Sequence, residues 1–350
     1  MSTVEQLTHL LVALFTPDQL KQFLHFGPDG DELVRSFPST TVPLDGAYQA
    51  VDLLRRHGLI DADFFGRLRQ VRPRRAADID AVERTWLIRR AEVIAETHVV
   101  LLVAAIAGQV SAIDDGQVRA ALGATREIGR LRMNLHDLEP LTGDPSNWLA
   151  GQARIETSVQ EYLRTTVLPS PAHHVSVFGL APIPWLMTLG YALSETVETR
   201  VHQRLREPST WCWQNHEPAL DTWQTRVVAD APVAREVAVL VSASAPVRPE
   251  RVQAALSTVT YAAYEITLAE PRYDAVRSPE QLEEFGRHYR RLLARIEAAH
   301  PEVERVHVFA AAPVAVAVDC GRKLLHSADP VVVAYQLHER RYVRALELRP

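Results

Sequence analysis

The same short pattern occurs twice in this chain. VSVFGLAPIPWLMTLG begins at Val175 and VHVFAAAPVAVAVDCG begins at Val306. Aligned without gaps, Val175, Val177, Phe178, Ala181, Pro182 and Gly190 fall on Val306, Val308, Phe309, Ala312, Pro313 and Gly321, each pair 131 positions apart. One shared proline would constrain little. Six identities at one offset imply two copies of a strand-turn-helix unit, and hence a domain with internal pseudo-twofold symmetry. In each copy the strand runs apolar without alternation, as a strand buried on both faces does. It ends in small residues, Gly179 in one copy and Ala310 and Ala311 in the other, which let a ligand approach the backbone closely. Proline then opens the helix at a position where its missing N–H costs nothing. The first-turn N–H groups form an electropositive mouth beyond the carboxyl end of the strand, the usual ligand edge of an open α/β sheet. Two such mouths side by side would face one shared anionic ligand. The residues by themselves leave a second reading open, in which the prolines only start helices and the small residues only pack.

From about residue 154 onward, helical and strand-like segments alternate, which argues for parallel sheets flanked by helices. VLVSASAPVRPERV, from Val239 to Val252, follows the same logic as the repeat: a buried strand, then Ser242 and Ser244 as hydroxyl donors before another helix. Residues 81–150 read as a helical connector that could also supply outer helices of the domain that follows, with DGQVRAALGATREIGRLRM expected as one helix and LEPLTGDPSNW as a loop. Within that stretch, HVVLLVAAIAGQVSAI (residues 98–113) has an uninterrupted apolar core only from Val99 to Gly108. A spanning helix needs about 20 such residues, so a buried helix or strand is expected, and no membrane. Residues 1–80 carry about five short amphipathic helical patterns, expected to form a bundle. Thr16-Pro17-Asp18-Gln19 supplies an N-cap with proline behind it, Gly58 reads as a C-cap and Asp61 as the next N-cap. PDGDE, Pro28 to Glu32, reads as a turn without calcium-loop spacing.

Composition removes several function classes. The net charge of −5 gives no field for long duplex nucleic acid, although a local Arg and Lys cluster could still hold a small anion. Cys212 and Cys320 are too few for a disulfide framework or a cysteine zinc site, which fits a reducing cytoplasm. The first twenty residues lack a basic region and cleavage site of the secretory type. His173-His174 opens a strand and reads as a structural edge, and Ser242 and Ser244 lack a GxSxG elbow. No catalytic residue, metal ligand or cofactor motif is expected in this chain.

At these residues a family resemblance enters. HVSVFGLAPIPWLMTLGYALSETVETRVHQRLREPSTWCWQ resembles the first half of the SAVED domain, the sensor of cyclic-oligonucleotide antiphage (CBASS) effectors. VHVFAAAPVAVAVDCGRKLLHSADPVVVAYQLHERRYVRALEL resembles its second half. The likeness covers about residues 151–350 and rests on the two Ala-Pro turns, on Trp211-Cys212-Trp213 after a basic strand, and on the C-terminal strand ending. It implies two fused CARF-like, Rossmann-like halves that bind a cyclic tri- or tetranucleotide of the adenylate type and assemble on binding. Carried onto this sequence, the ligand positions are Ala181, Pro182, Ile183 and Pro184, with Ala312, Pro313 and Val314 as their equivalents. Trp185, Trp211 and Trp213 are expected to stack on bases, and Arg204, Arg322 and Lys323 to neutralise phosphates, with Ser242 and Ser244 as hydroxyl donors. The first eighty residues resemble the small helical effector-associated or death-like adaptor domains of bacterial conflict systems, through LLVALFTPDQLKQFL, AVDLLRRHGLIDADFFGRL and RPRRAADI. Such domains imply association with the same module on a partner, a protease or other toxic effector.

The expectation is therefore a multidomain protein: an all-α death-like bundle (1–80), a connector (81–150) and an α/β SAVED domain (151–350). Its expected role is a cytoplasmic, non-enzymatic sensor-adaptor. Two alternatives stand beside it. One is a ring nuclease in which Ser242, Ser244 and nearby arginines align a ribose 2′-oxygen; the other is a membrane-acting effector working through residues 98–113.

Overall fold

A computed structural model describes the chain apart from residues 1–2, 28–29, 31–32, 35–36, 38–41, 57–58, 61, 92–94, 107–108, 111, 142–143, 195–196, 215–222, 325–329 and 350. The expected caps Gly58 and Asp61, and most of the Pro28 to Glu32 turn, lie outside the described residues. The chain divides into two compact units, Met1–Val93 and Ile94–Pro350.

The first unit is helical among its described residues: α1 (Thr3–Leu14), α2 (Pro17–His25), α3 (Pro43–Arg56), α4 (Ala62–Val71), a 3-10 turn at Pro73–Arg75, and α5 (Ala76–Ala91). Thr16 caps α2 as its sequence implies. The Gln19 N–H donates to Thr16 Oγ1 and the Thr16 N–H donates to Gln19 Oε1, a reciprocal pairing that satisfies two otherwise orphaned donors. The apolar stripes converge on Leu7, Leu11, Leu24, Phe64 and Phe65.

The second unit holds two sheets. Seven elements build the first: β1 (Glu96–Val103), α6 (Asp115–Leu122), β4 (Arg126–Asn134), α7 (Asn147–Tyr162), β5 (His174–Leu180), α8 (Ile183–Leu193) and β6 (Glu198–Val201). A small hairpin, β2 (Ala105–Ile106) with β3 (Gln109–Val110), follows β1. The strand order is β4-β1-β5-β6, all parallel. The next strand, β7 (Trp223–Ala229), precedes a second run: β8 (Glu236–Ser242), α9 (Pro249–Ala255), β9 (Tyr261–Leu268), α10 (Pro279–Ala299), β10 (Arg305–Ala311), α11 (Val314–Arg322) and β11 (Val331–His338). Its parallel core is ordered β9-β8-β10-β11, with β7 and β12 (Arg341–Leu348) added antiparallel at the edges. The two runs therefore match element for element. The sixteen-residue repeat is the visible part of a duplication that reaches back to Glu96.

This corrects the reading of residues 81–150 as helical connector. The apolar run from His98 is the central strand β1, its residues from Thr97 to Val103 buried between β4 and β5, so it does not face lipid. The segment expected as one helix is a short helix followed by strand β4, an edge strand whose arginines pair outward with Asp115 and Glu127. Edge strands carry charge to discourage further pairing, and that charge hid the strand pattern. Among the described residues, no helix is long and apolar enough to cross a membrane.

The halves meet through the two repeated helices. A Cβ built on Gly190 of α8 would overlap the Val318 carbonyl of α11, and one built on Gly321 would overlap the Met187 carbonyl of α8. Val318 stands to Met187 as Gly321 stands to Gly190, so the contact is reciprocal about the pseudo-twofold axis. Only glycine permits this backbone approach. We expect Gly190→Val and Gly321→Val each to destabilise this unit by about 3 kcal/mol, because the helices must separate. Scanning calorimetry would show a midpoint several degrees lower; unchanged midpoints for both would mean that the helices do not touch. Gly66→Ala in α4 is the control, since nothing lies within 4 Å of the added methyl.

Candidate functional site

Both Ala-Pro turns stand at carboxyl ends of central strands, beside the point where each sheet reverses its order. The strand pairs β1/β5 and β8/β10 flank these switch points, and in open α/β sheets ligands bind in the crevice just outside them. The turns are built alike. Ala104 N–H donates to Leu180 O at 2.9 Å in the first half, and Ser244 N–H donates to Ala311 O at 2.7 Å in the second. Pro182 and Pro313 are buried N-caps in extended conformation. Ile183, Ala312 and Val314 are half-buried at the tips. The Val314 side chain lies 3.7 Å from where a Cβ on Gly179 would sit, which brings the α11 tip to the end of β5. The repeated turns thus share one edge of the unit.

Each tip is also tied to the opposite half. Gln203, in the loop after β6, accepts the Ala315 N–H of α11 at 2.9 Å; Gln336, on β11, accepts the Ile183 N–H of α8 at 3.1 Å. The expected pair of equal electropositive mouths is consequently uneven. On α8, Pro184 has no N–H, the Ile183 N–H is committed to Gln336, and the N–H groups of Trp185 and Leu186 return to Pro182 O. On α11, Val314, Ala315 and Val316 all carry N–H groups, and Gln203 takes that of Ala315. The first-turn N–H donors left over for a ligand are therefore more numerous at the second tip.

Several predicted ligand residues lie elsewhere. Trp185 is fully buried, its Nε1–H donating to Trp148 O at 3.2 Å, and Trp211 is sealed edge-on against Phe178. Neither presents a face to a base, because both sit beneath helices and loops that complete the core. Trp213 is half-buried in the loop between β6 and β7. Arg204 stands next to the capping Gln203, bonded to Ser209 Oγ at 2.6 Å, and so remains at the shared edge. Arg322 and Lys323 sit at the far end of α11, about 13 Å along its axis from the tip at 1.5 Å per residue. There Arg322 pairs with buried Asp319 and lies close enough to His174, at the amino end of β5, to depress its proton affinity. Ser242 is fully buried; its hydroxyl donates to Glu265 Oε1 at 2.6 Å and accepts the Val247 N–H at 2.9 Å. It is a loop brace with no free lone pair aimed at solvent, which removes one of the two hydroxyls the ring-nuclease alternative requires. Ser244 is half-buried at the turn.

The residues that sequence reasoning missed are in the loops after β6 and β9. Arg206 lies over the ring of Tyr273 at 4.0 Å, and both are exposed. Only the cation-aromatic composition of these loops could have hinted at the pair. A cavity of about 960 Å³ lies away from the tips, between α7 and β12, with Gln152, Tyr191 and Arg344 in its wall.

Residues 154–348 match the SAVED family, described as the SMODS-associated and fused to various effectors sensor domain. The chain belongs to that family. Among solved structures, it is similar to the Cap4 SAVED/CARF-domain receptor of Acinetobacter baumannii bound to the cyclic trinucleotide 2′3′3′-cAAA. That match has 12% identity, covers 97% of this chain and 78% of the other, and has a TM-score of 0.51. The same receptor with 3′3′3′-cAAA matches at 10% identity, 98% and 78% coverage and TM-score 0.48. Cap4 of Moraxella osloensis matches at 11% identity, 99% and 76% coverage and TM-score 0.44. No curated protein matches the chain.

The strongest histidine shifts are structural. His174, hydrogen-bonded through Nδ1 to Thr97 Oγ1 at 2.7 Å, is pushed down to about 4 by burial and by the Arg200 charge. His202, stacked 4.2 Å from Phe178, is pushed down to about 3 by complete burial. Both folded values lie below the ordinary histidine value near 6.5, so the unfolded chain binds protons that the fold refuses. Stability is therefore fully present above pH 6.5 and is lost as pH falls from there toward 4 and then 3. Each histidine contributes a slope of about 1.4 kcal/mol per pH unit in that window. Urea midpoints for the unliganded protein between pH 7.5 and 4.5 would show the decline; a flat profile would mean that these rings are protonated in the fold.

Proposed function

We propose that this chain is a sensor-adaptor that binds a cyclic oligonucleotide of the tri- or tetra-adenylate type at the shared edge of the two halves. The observation that carries this reading is the reciprocal packing of α8 and α11, which brings two copies of one ligand-edge turn together. A single ring with repeated phosphates complements such a duplicated cradle, and Arg204 beside the α11 tip supplies charge for it. The cyclic trinucleotide 2′3′3′-cAAA held by the Acinetobacter baumannii Cap4 receptor supports the same ligand class. Binding then drives self-association, and the helical Met1–Val93 unit, read as a death-like adaptor, is concentrated in the assembly. Tethering raises local concentration to about the millimolar range, enough to make weak contacts between such modules productive. Phe26, 74% exposed, and Val71, 45% exposed, lie along one groove of the bundle and offer apolar surface to the same module on an effector such as a protease.

Three outcomes test this. Pro313→Asp places a carboxylate beside the α11 donors and should abolish binding of cyclic adenylates by calorimetry while the helical unit keeps its melting transition; undiminished affinity would remove the site from the tips. Ligand should raise the mass seen by light scattering, and a bound protein that stays monomeric would remove the assembly step. Without residues 1–93 the protein should still bind nucleotide and fail to capture its effector; equal capture would place the contact in the second unit.

A further inference from the structure

We infer that Arg206 and Tyr273 form a preassembled platform on which one base of the ligand stacks, beside the α11 tip; this rests on the cyclic-oligonucleotide reading above. The placement follows from a closed circuit of hydrogen bonds around that tip. Ser244 N–H donates to Ala311 O at 2.7 Å, and Arg272 N–H donates to Ala243 O at 3.0 Å. Two residues after Arg272, the Asp274 carboxylate accepts the Arg206 N–H at 2.9 Å and the Glu207 N–H at 3.0 Å. Three residues before Arg206, Gln203 returns to the tip by accepting the Ala315 N–H. The loops after β6, β8 and β9 are thereby locked around the start of α11.

The platform itself is rigid and open. Asp274 adopts a left-handed backbone, φ 56°, a cost that an aspartate tolerates better than most residues and that its two accepted N–H bonds offset. It fixes the loop so that Tyr273 stands 62% exposed with the Arg206 guanidinium 4.0 Å over its ring. A cation on one ring face leaves the opposite face available for a flat, electron-rich partner. Aromatic stacking with a nucleobase suits that face and tolerates any base, while the guanidinium stays close enough to meet the adjoining phosphate. Of the three tryptophans expected to do this, Trp185 and Trp211 are sealed in the core and Trp213 is half-buried, whereas the Tyr273 ring is exposed. The platform belongs to the tip with the larger share of free donors, which gives the duplicated cradle a dominant half.

Calorimetry on the full chain with 2′3′3′- and 3′3′3′-cyclic triadenylate, within a wider panel of cyclic di-, tri- and tetranucleotides, tests the platform. Tyr273→Ala should weaken the best ligand about ten- to a hundredfold, while Tyr273→Phe, which keeps the ring, should stay within about threefold. Arg206→Gln should weaken it by about tenfold and flatten the salt dependence of binding. Matching melting curves for the Ala and Phe variants control for unfolding. Wild-type affinity in Tyr273→Ala, alongside lost binding in Pro313→Asp, would overturn the platform and leave the sensor reading standing. If no panel member binds the unaltered protein, the sensor reading and the platform fall together.

Discussion

The backbone contact of α8 with α11, Gly190 against Val318 and Gly321 against Met187, holds the architecture of the second unit. Each glycine lets the partner helix approach until its carbonyl occupies the space a side chain would need. That approach makes α8 and α11 neighbours, and the sheets they belong to follow, α8 packing on β11 and β12 and α11 on β5 and β6. The two switch points lie in separate sheets, and this approach of the helices is what gives them a shared edge. The glycines are also the residues least able to change, since any Cβ pushes directly on main chain.

The exchange of glutamine caps adds a second layer of the same symmetry. Gln203 from the first half closes the helix of the second, and Gln336 from the second closes the helix of the first. Each cap satisfies a donor that would otherwise be buried unpaired, and in doing so it ties the halves together at the ligand edge. The symmetry stops at the chemistry. Pro184 deletes a donor on α8, and the loops after β6 and β9 place Arg204, Arg206 and Tyr273 beside α11. The scaffold is duplicated, whereas the polar groups upon it are not.

Much of this was legible in the chain. Strands buried on both faces, such as His174–Leu180 and Arg305–Ala311, declare themselves by uninterrupted apolar residues, and their helices by Pro182 and Pro313. Two of the strands that escaped were edges. Arg126–Asn134 carries three arginines and Trp223–Ala229 is mostly exposed, and half-solvated strands lose the apolar signal that reveals them. The central strand Glu96–Val103 escaped for a different reason: a short uninterrupted apolar run fits a buried helix as well as a buried strand. The candidate site was legible as a pair of turns, and less so as a set of side chains: Ala181, Pro182, Ala312 and Pro313 are at the shared edge, while Trp185, Trp211 and Ser242 are interior and Arg322 and Lys323 are at the other end of their helix.

The sequence by itself determined the duplication, the order of strands and helices in most of the second unit, and the position of its ligand-edge turns. These are properties of residue order, written as identities at a fixed spacing and as local apolar runs. Only the tertiary structure decided which aromatic rings face solvent, which helix donors remain, and that loops separated by about seventy residues join Arg206 to Tyr273. Those depend on what a neighbouring element covers, and covering is settled by packing between segments distant in the chain.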